Sequence, residues 1–162
     1  CQRAYRYRHH QHPKRVTTAI SFVNDEAGGL DAPLPAGKWR LYRRTDEGLR
    51  FIGADQRPGT ARNAELTLEL GQAFDLGAER RVLKRRKLSA RSEEQEVEIM
   101  LTNAKRTGEV QVEVEERMAR GQWEITQSSL APQRKDADTL VFAVPVPAGG
   151  DTRLTYTVVR RW

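Results

Sequence analysis

The sequence predicts an all-β, antiparallel protein, with a small N-terminal β unit followed by an immunoglobulin-like β-sandwich. Three observations predict it. Apolar residues recur at every second position in segment after segment, the pattern of strands with one face covered and one in water. Turn residues punctuate these segments at intervals of roughly 8–12 residues. No stretch of a dozen residues carries an apolar stripe at helical spacing that does not fit the two-residue period better.

Residues 1–13 form either a basic N-terminal arm or the first strand, and the N-terminal β unit follows over residues 14–76. In it Val16, Thr18, Ile20 and Phe22 alternate with Thr17, Ala19, Ser21 and Val23, and Asn24-Asp25-Glu26-Ala27-Gly28-Gly29 ends the segment with turn chemistry. Lys38 to Arg44 alternates again, Trp39 and Leu41 against Lys38, Arg40 and Tyr42. Asp46-Glu47-Gly48 is a tight turn, and Leu49 to Ile52 returns as the hairpin partner. Beyond a turn at Arg57-Pro58-Gly59, Leu66, Leu68 and Leu70 share one face and Glu65, Thr67 and Glu69 the other. The boundary between the two parts is expected at Leu76-Gly77-Ala78.

The sandwich is expected over residues 79–162, in six strands. Arg80 to Ala90 is the first; Val97, Ile99 and Leu101 mark the second; Val110, Val112 and Val114 the third; Trp123 and Ile125 a shorter fourth. Leu140, Phe142, Val144 and Val146 make the fifth, closed by Pro147-Ala148-Gly149-Gly150, and Leu154, Tyr156 and Val158 the last. A chain of 162 residues buries roughly 70% of its unfolded surface and needs neither disulfide nor metal to be stable. The balance of 38% hydrophobic to 31% charged residues, with a mean hydropathy of −0.73, suits a thin sandwich with much surface per unit of core.

Several stretches, taken in order, resemble a known family. They are Gly29-Leu30-Asp31-Ala32-Pro33-Leu34-Pro35-Ala36-Gly37-Lys38-Trp39-Arg40-Leu41-Tyr42, Phe51-Ile52-Gly53, Leu70-Gly71-Gln72-Ala73-Phe74-Asp75-Leu76, Asn103-Ala104-Lys105, Trp123-Glu124-Ile125, Lys135-Asp136-Ala137 and Val144-Pro145-Val146-Pro147-Ala148-Gly149-Gly150. The ordered set, spanning about residues 14 to 160, resembles the C-terminal half of the bacterial "domain of unknown function 4139" family. That resemblance implies an exported, all-β chain and no particular chemistry. One departure is plain: relatives tend to show a His-Thr-Pro turn after the Phe-Ile-Gly segment, where this chain has Arg57-Pro58-Gly59-Thr60. A role for that histidine therefore does not carry over.

Catalysis by a nucleophile needs a base held beside it. The sole cysteine is Cys1, the only histidines are His9, His10 and His12 in one basic stretch, and no Gly-x-Ser-x-Gly, phosphate-loop or dinucleotide-binding pattern occurs. No catalytic residue, cofactor or metal site is therefore expected. Three clustered imidazoles are a metal-ligand type, but Arg8, Lys14 and Arg15 beside them repel cations and no carboxylate completes a set. Paired carboxylates are the more serious alternative, because a carbohydrate- or peptide-active hydrolase needs only two. Asp46 with Glu47, Asp136 with Asp138, and Glu113 with Glu115 qualify by type, yet each fits a turn or a solvent face equally well.

Charge is segregated along the chain. Arg80, Arg81, Lys84, Arg85, Arg86, Lys87 and Arg91 are followed at once by Glu93, Glu94, Glu96 and Glu98, so that a hairpin of the two runs would neutralise itself through cross-strand ion pairs. This weakens a nucleic-acid-binding reading, which needs a basic patch left uncompensated and aromatics free to stack. The net charge of +6 still favours acidic or anionic partners. Its uncompensated source is the N-terminal stretch, where Tyr5, Arg6, Tyr7, Arg8 and His9 are of the types that anchor protein partners. The same arm would also lie readily near anionic lipid headgroups. The competing reading makes this stretch the first strand, with Tyr5 and Tyr7 on its buried face.

No apolar run reaches the roughly 18 residues of a membrane helix, and the first residues are too polar for a signal peptide. Cys1 stands where a bacterial lipoprotein carries its lipid anchor, or is simply the first residue of a fragment. The expectation is a non-catalytic accessory subunit, periplasmic or otherwise extracytoplasmic. It would dock onto protein partners in a membrane-associated assembly and not onto nucleic acid.

Overall fold

The computed structural model describes residues 2–27, 30–118 and 121–162. Cys1 and the Gly28-Gly29 turn lie outside them. Eleven strands and no helix occur among the described residues: β1 (Gln2–Arg8), β2 (Arg15–Val23), β3 (Gly37–Thr45), β4 (Gly48–Arg57), β5 (Glu65–Ser89), β6 (Ser92–Asn103), β7 (Val110–Arg117), β8 (Gln122–Ser128), β9 (Gln133–Arg134), β10 (Thr139–Val146) and β11 (Gly150–Arg161). Nine join one open sheet in the order β8-β11-β6-β5-β2-β1-β7-β10-β9, and β3 and β4 form a separate hairpin. The protein is all-β.

The sheet is mixed, which corrects the expectation of a purely antiparallel one. β1 runs parallel to β7, with Tyr5 opposite Val112 and Tyr7 opposite Val114. A parallel neighbour needs a long connection, and here most of the chain lies between the two strands. Periodicity within a strand carries no information about such a pairing.

The chain divides into two compact units, one built mainly from Thr17–Gln72, the other from Tyr5–Val16 with Ala73–Trp162. The stretch Leu76-Gly77-Ala78, expected as the boundary between the two parts, lies inside β5, as does the division between the units at Gln72 and Ala73. Gly77 is there for a close approach: a Cβ on it would stand 2.6 Å from Oγ1 of Thr102, its partner on β6. A glycine of this kind looks like a breaker in sequence and is a packing requirement in the strand.

The second unit holds the main core. Val97, Ile99 and Leu101 on β6, Val112 and Val114 on β7, Phe142 and Val144 on β10, and Leu154, Tyr156 and Val158 on β11 are all essentially inaccessible to water. These are the inward positions that the two-residue period marks. Phe142 stacks on Tyr156 with ring centroids 5.4 Å apart, although β10 and β11 stand near opposite ends of the hydrogen-bonded order. Both ends of that order thus feed one core.

The second half of β5, from Leu76 to Ser89, pairs with β6 and realises the ion-pair ladder expected from charge segregation. Lys84 meets Glu96 at 3.2 Å, Arg85 meets Glu93 at 3.5 Å, and Arg86 meets Glu94 at 3.0 Å. The cations are well exposed, so each pair contributes about 0–1 kcal/mol. The ladder's larger effect is to neutralise the longest basic run in the chain.

The first unit is thinner. Leu66 and Leu68 are buried, and the buried Asn24 side chain donates to Ala32 O at 2.7 Å and Ala61 O at 3.0 Å, tying together the loops on either side of the hairpin. Gly53 on β4 lies against β5, where a Cβ would meet Leu70 O at 2.9 Å. Asp55 Oδ2 accepts the Glu69 backbone N–H at 2.9 Å. One face of the hairpin is therefore seated on β5.

Candidate functional site

The five N-terminal residues expected to contact a partner are largely committed within the second unit. Tyr5 and Tyr7 belong to the core, as the competing first-strand reading has them. The Tyr7 hydroxyl donates to Pro13 O at 2.8 Å and lies 3.2 Å from His9 Nδ1. Lys105 Nζ stands 4.2 Å above the Tyr5 ring. The alternate side chains meet acids on β7, Arg6 with Glu113 at 3.1 Å and Arg8 with Glu115 at 3.3 Å. The parallel register makes these pairs by setting Arg6 opposite Glu113 and Arg8 opposite Glu115.

Glu115 is also 3.2 Å from Lys135 Nζ. Burial works against its charge, but Arg8, and Lys135 with it, outweigh burial and hold the carboxyl below the ordinary glutamate range. A carboxyl depressed on folding stabilises the protein above the unfolded-chain pKa of about 4.3, and that contribution disappears as pH falls through the folded value. Glu115→Gln should therefore cost on the order of 1 kcal/mol near neutral pH and progressively less in acid. Urea titrations of both proteins between neutrality and acid would show the gap closing; a gap independent of pH would contradict the assignment.

A second cluster centres on Glu116. Glu116 is 4% exposed; its Oε2 accepts from Arg80 Nε at 2.8 Å and from the Tyr156 hydroxyl at 2.5 Å. Arg80 also reaches the Tyr156 hydroxyl at 3.4 Å. Burial first, and then the Glu116 charge, push the Tyr7 and Tyr156 phenols well above the usual tyrosine range. For Arg80 burial opposes the charge, and Glu116 outweighs it. The signal was present: Glu116 occupies the next core-facing position after Val110, Val112 and Val114. The arrangement holds a buried carboxylate against a guanidinium and a phenol, and of these residues Tyr156 also lines a cavity with Gln127, Ser128, Ser129 and Thr155.

The carboxylates considered for hydrolysis are placed as follows. Asp136 Oδ1 accepts the Asp138 backbone N–H at 2.8 Å, and that bond, with the Thr139 hydroxyl next, holds its carboxyl below the ordinary range. Glu113 and Glu115 pair with Arg6 and Arg8, while Asp46 and Glu47 stand in the exposed β3–β4 turn. His10 and His12 are exposed, and no group of three or more metal-ligating side chains assembles among the described residues.

Arg6 and Arg8 on β1 and Lys84, Arg85 and Arg86 on β5 are paired with glutamates, whereas the β3–β4 hairpin gathers several cations that are not. Alternation along β3 puts Lys38, Arg40, Tyr42 and Arg44 on one face, while Trp39 and Leu41 on the other are half-buried. The register sets Phe51 opposite Tyr42 and Leu49 opposite Arg44, so both join the outward face. Tyr42, Leu49 and Phe51 are 50%, 68% and 55% exposed, and the two rings meet edge to face at 5.6 Å. No acid lies on this face, because Asp55 stands opposite Trp39 and the remaining partners are Ala54 and Gln56. Among the described residues, Lys38, Arg40, Arg43, Arg44 and Arg50 have no ion-pair partner. The division of β3 into Trp39 and Leu41 against Lys38, Arg40 and Tyr42 was legible; that the second set stays uncovered was not.

Fold and site together define an all-β protein bearing one basic, aromatic and solvent-facing hairpin surface. No family model, no curated protein and no solved structure matches the chain.

Proposed function

We propose that the chain is a non-catalytic interaction module, an exported accessory subunit that docks onto a larger membrane-associated assembly, with the outward face of β3–β4 as its main docking surface. The observation that carries this reading is the contrast in charge state. The other long basic stretches are paired with glutamates at Arg6, Arg8, Lys84, Arg85 and Arg86, whereas this face combines three unpaired cations with three exposed apolar side chains and no acid. Arginine and aromatic residues are the types enriched where proteins anchor on partners. The resemblance to the "domain of unknown function 4139" family supports an extracytoplasmic setting. The contribution of both ends of the nine-strand order to one core supports an immunoglobulin-like sandwich for the second unit. The terminal strands β8 and β9 offer strand addition as a second docking mode.

The alternative of a hydrolase is less well supported, because the Asp136–Asp138 pair is tied into its own turn. The test is isolation of the native protein under mild cross-linking, in parallel with an Arg40→Glu/Phe51→Ser variant. The expected result is a defined membrane-fraction complex that the variant loses while keeping its fold by circular dichroism. Recovery of both as lone monomers from the soluble and membrane fractions would overturn the reading.

A further inference from the structure

Resting on the reading of the β3–β4 face as a docking surface, we propose that its counterpart is the anionic headgroup layer of a lipid bilayer. Charge gives the first reason. Lys38, Arg40 and Arg44 point the same way with no acid among them, and on the other face Arg43 stands directly opposite Arg50. Like charges facing each other across a strand pair are unfavourable, and neither of these two has an ion-pair partner among the described residues. At this end of the hairpin Arg43, Arg44 and Arg50 outnumber Asp46 and Glu47 of the turn, and with Lys38 and Arg40 they leave an excess of positive charge that an anionic surface would compensate.

The apolar groups give the second reason. Tyr42 and Phe51 pack edge to face against each other, so they do not present two open platforms for bases, and Leu49, the most exposed of the three, has no ring to stack. Aromatic and aliphatic groups flanked by long cationic side chains match instead the bilayer interface, where rings sit at headgroup depth and arginine and lysine stems reach outward to phosphate. A second copy of this face is a poor occupant, since symmetric pairing sets Lys38, Arg40 and Arg44 against their own kind.

The experiment is co-sedimentation of the purified full chain with vesicles of phosphatidylcholine, with and without phosphatidylglycerol. The chain is expected to sediment with the anionic vesicles and to stay in solution with the neutral ones. Each basic side chain near such a surface is worth about fivefold in partitioning, so Lys38→Gln/Arg40→Gln/Arg44→Gln should weaken binding on the order of 100-fold. Tyr42→Ser/Phe51→Ser should weaken it while leaving its salt dependence unchanged. Lys84→Gln/Arg85→Gln/Arg86→Gln removes the same formal charge from the β5–β6 ladder and should lower binding far less.

Absence of binding to anionic vesicles at low salt would overturn the proposal. So would equal losses in the two triple variants, which would indicate general attraction by net charge. Tighter binding of an acidic peptide or a single-stranded oligonucleotide through the same three cations would also overturn it, by assigning the face to another class of partner. Because the assay contains only chain and lipid, its failure beside a recovered native complex would remove the lipid and leave the docking function standing.

Discussion

Arg80→Met should destabilise the protein by about 3–5 kcal/mol, and adding Glu116→Leu to it should recover most of that loss. The Arg80 side chain is 13% exposed and that of Glu116 5%, and they meet at 2.8 Å. Removing the guanidinium leaves a carboxylate away from water with the Tyr156 hydroxyl as its remaining donor, and its Oε1 already lacks a hydrogen-bond partner. Replacing both partners with apolar groups of similar volume removes the unpaired charge along with the pair. The measurement is the urea midpoint at constant m for wild type, both single variants and the double. A single-variant loss below about 1 kcal/mol would mean that water screens the pair, contrary to its burial. A double variant no better than Arg80→Met would mean that the network holds the strands by geometry and not by charge balance.

Phe142→Ala should cost a similar amount, about 3–5 kcal/mol, by a different mechanism. Phe142 is 0% exposed, lies opposite Val114 on β7 and stacks on Tyr156 across the core. Truncation opens a cavity between strands held by their own ladders, so the walls cannot collapse to fill it. The loss should also couple to the first substitution, because Tyr156 carries the stacking contact on its ring and the Glu116 hydrogen bond on its hydroxyl. A double-mutant cycle between Phe142→Ala and Arg80→Met is expected to depart from additivity by about 0.5–3 kcal/mol. Strict additivity would show that ring and hydroxyl act independently.

Much of the local architecture was legible. The alternations at Val97-Ile99-Leu101, Val110-Val112-Val114, Leu140-Phe142-Val144 and Leu154-Tyr156-Val158 all fall on strands with those residues inward. Asp46-Glu47-Gly48 is the turn between β3 and β4, with Gly48 at a φ of 121° that side-chain-bearing residues rarely adopt. The β5–β6 ion-pair ladder was also readable, because strands joined by a tight turn pair with each other and the charges of each lie in sequence order. β9, two residues long, left no period to detect.

The candidate site was legible only in part. The sequence marked Tyr5, Arg6, Tyr7, Arg8 and His9 as the uncompensated basic segment, and it separated the two faces of β3 correctly. It held no means of knowing that Glu113 and Glu115 come to lie beside Arg6 and Arg8, 107 positions apart in the first case.

By itself, then, the sequence determined the all-β class, the strands and the direction in which most side chains point. Side chains along an extended backbone alternate whatever lies next to the strand, so that information is local. Tertiary structure alone decided that β1 lies parallel to β7, that β11 sits between β6 and β8, and that Arg80 and Tyr156 are the partners the inward Glu116 meets. Those pairings join strands far apart in the chain, and they settle which charges find partners. The cations gathered unpaired on β3 and β4 are what the function proposed for this chain is built on.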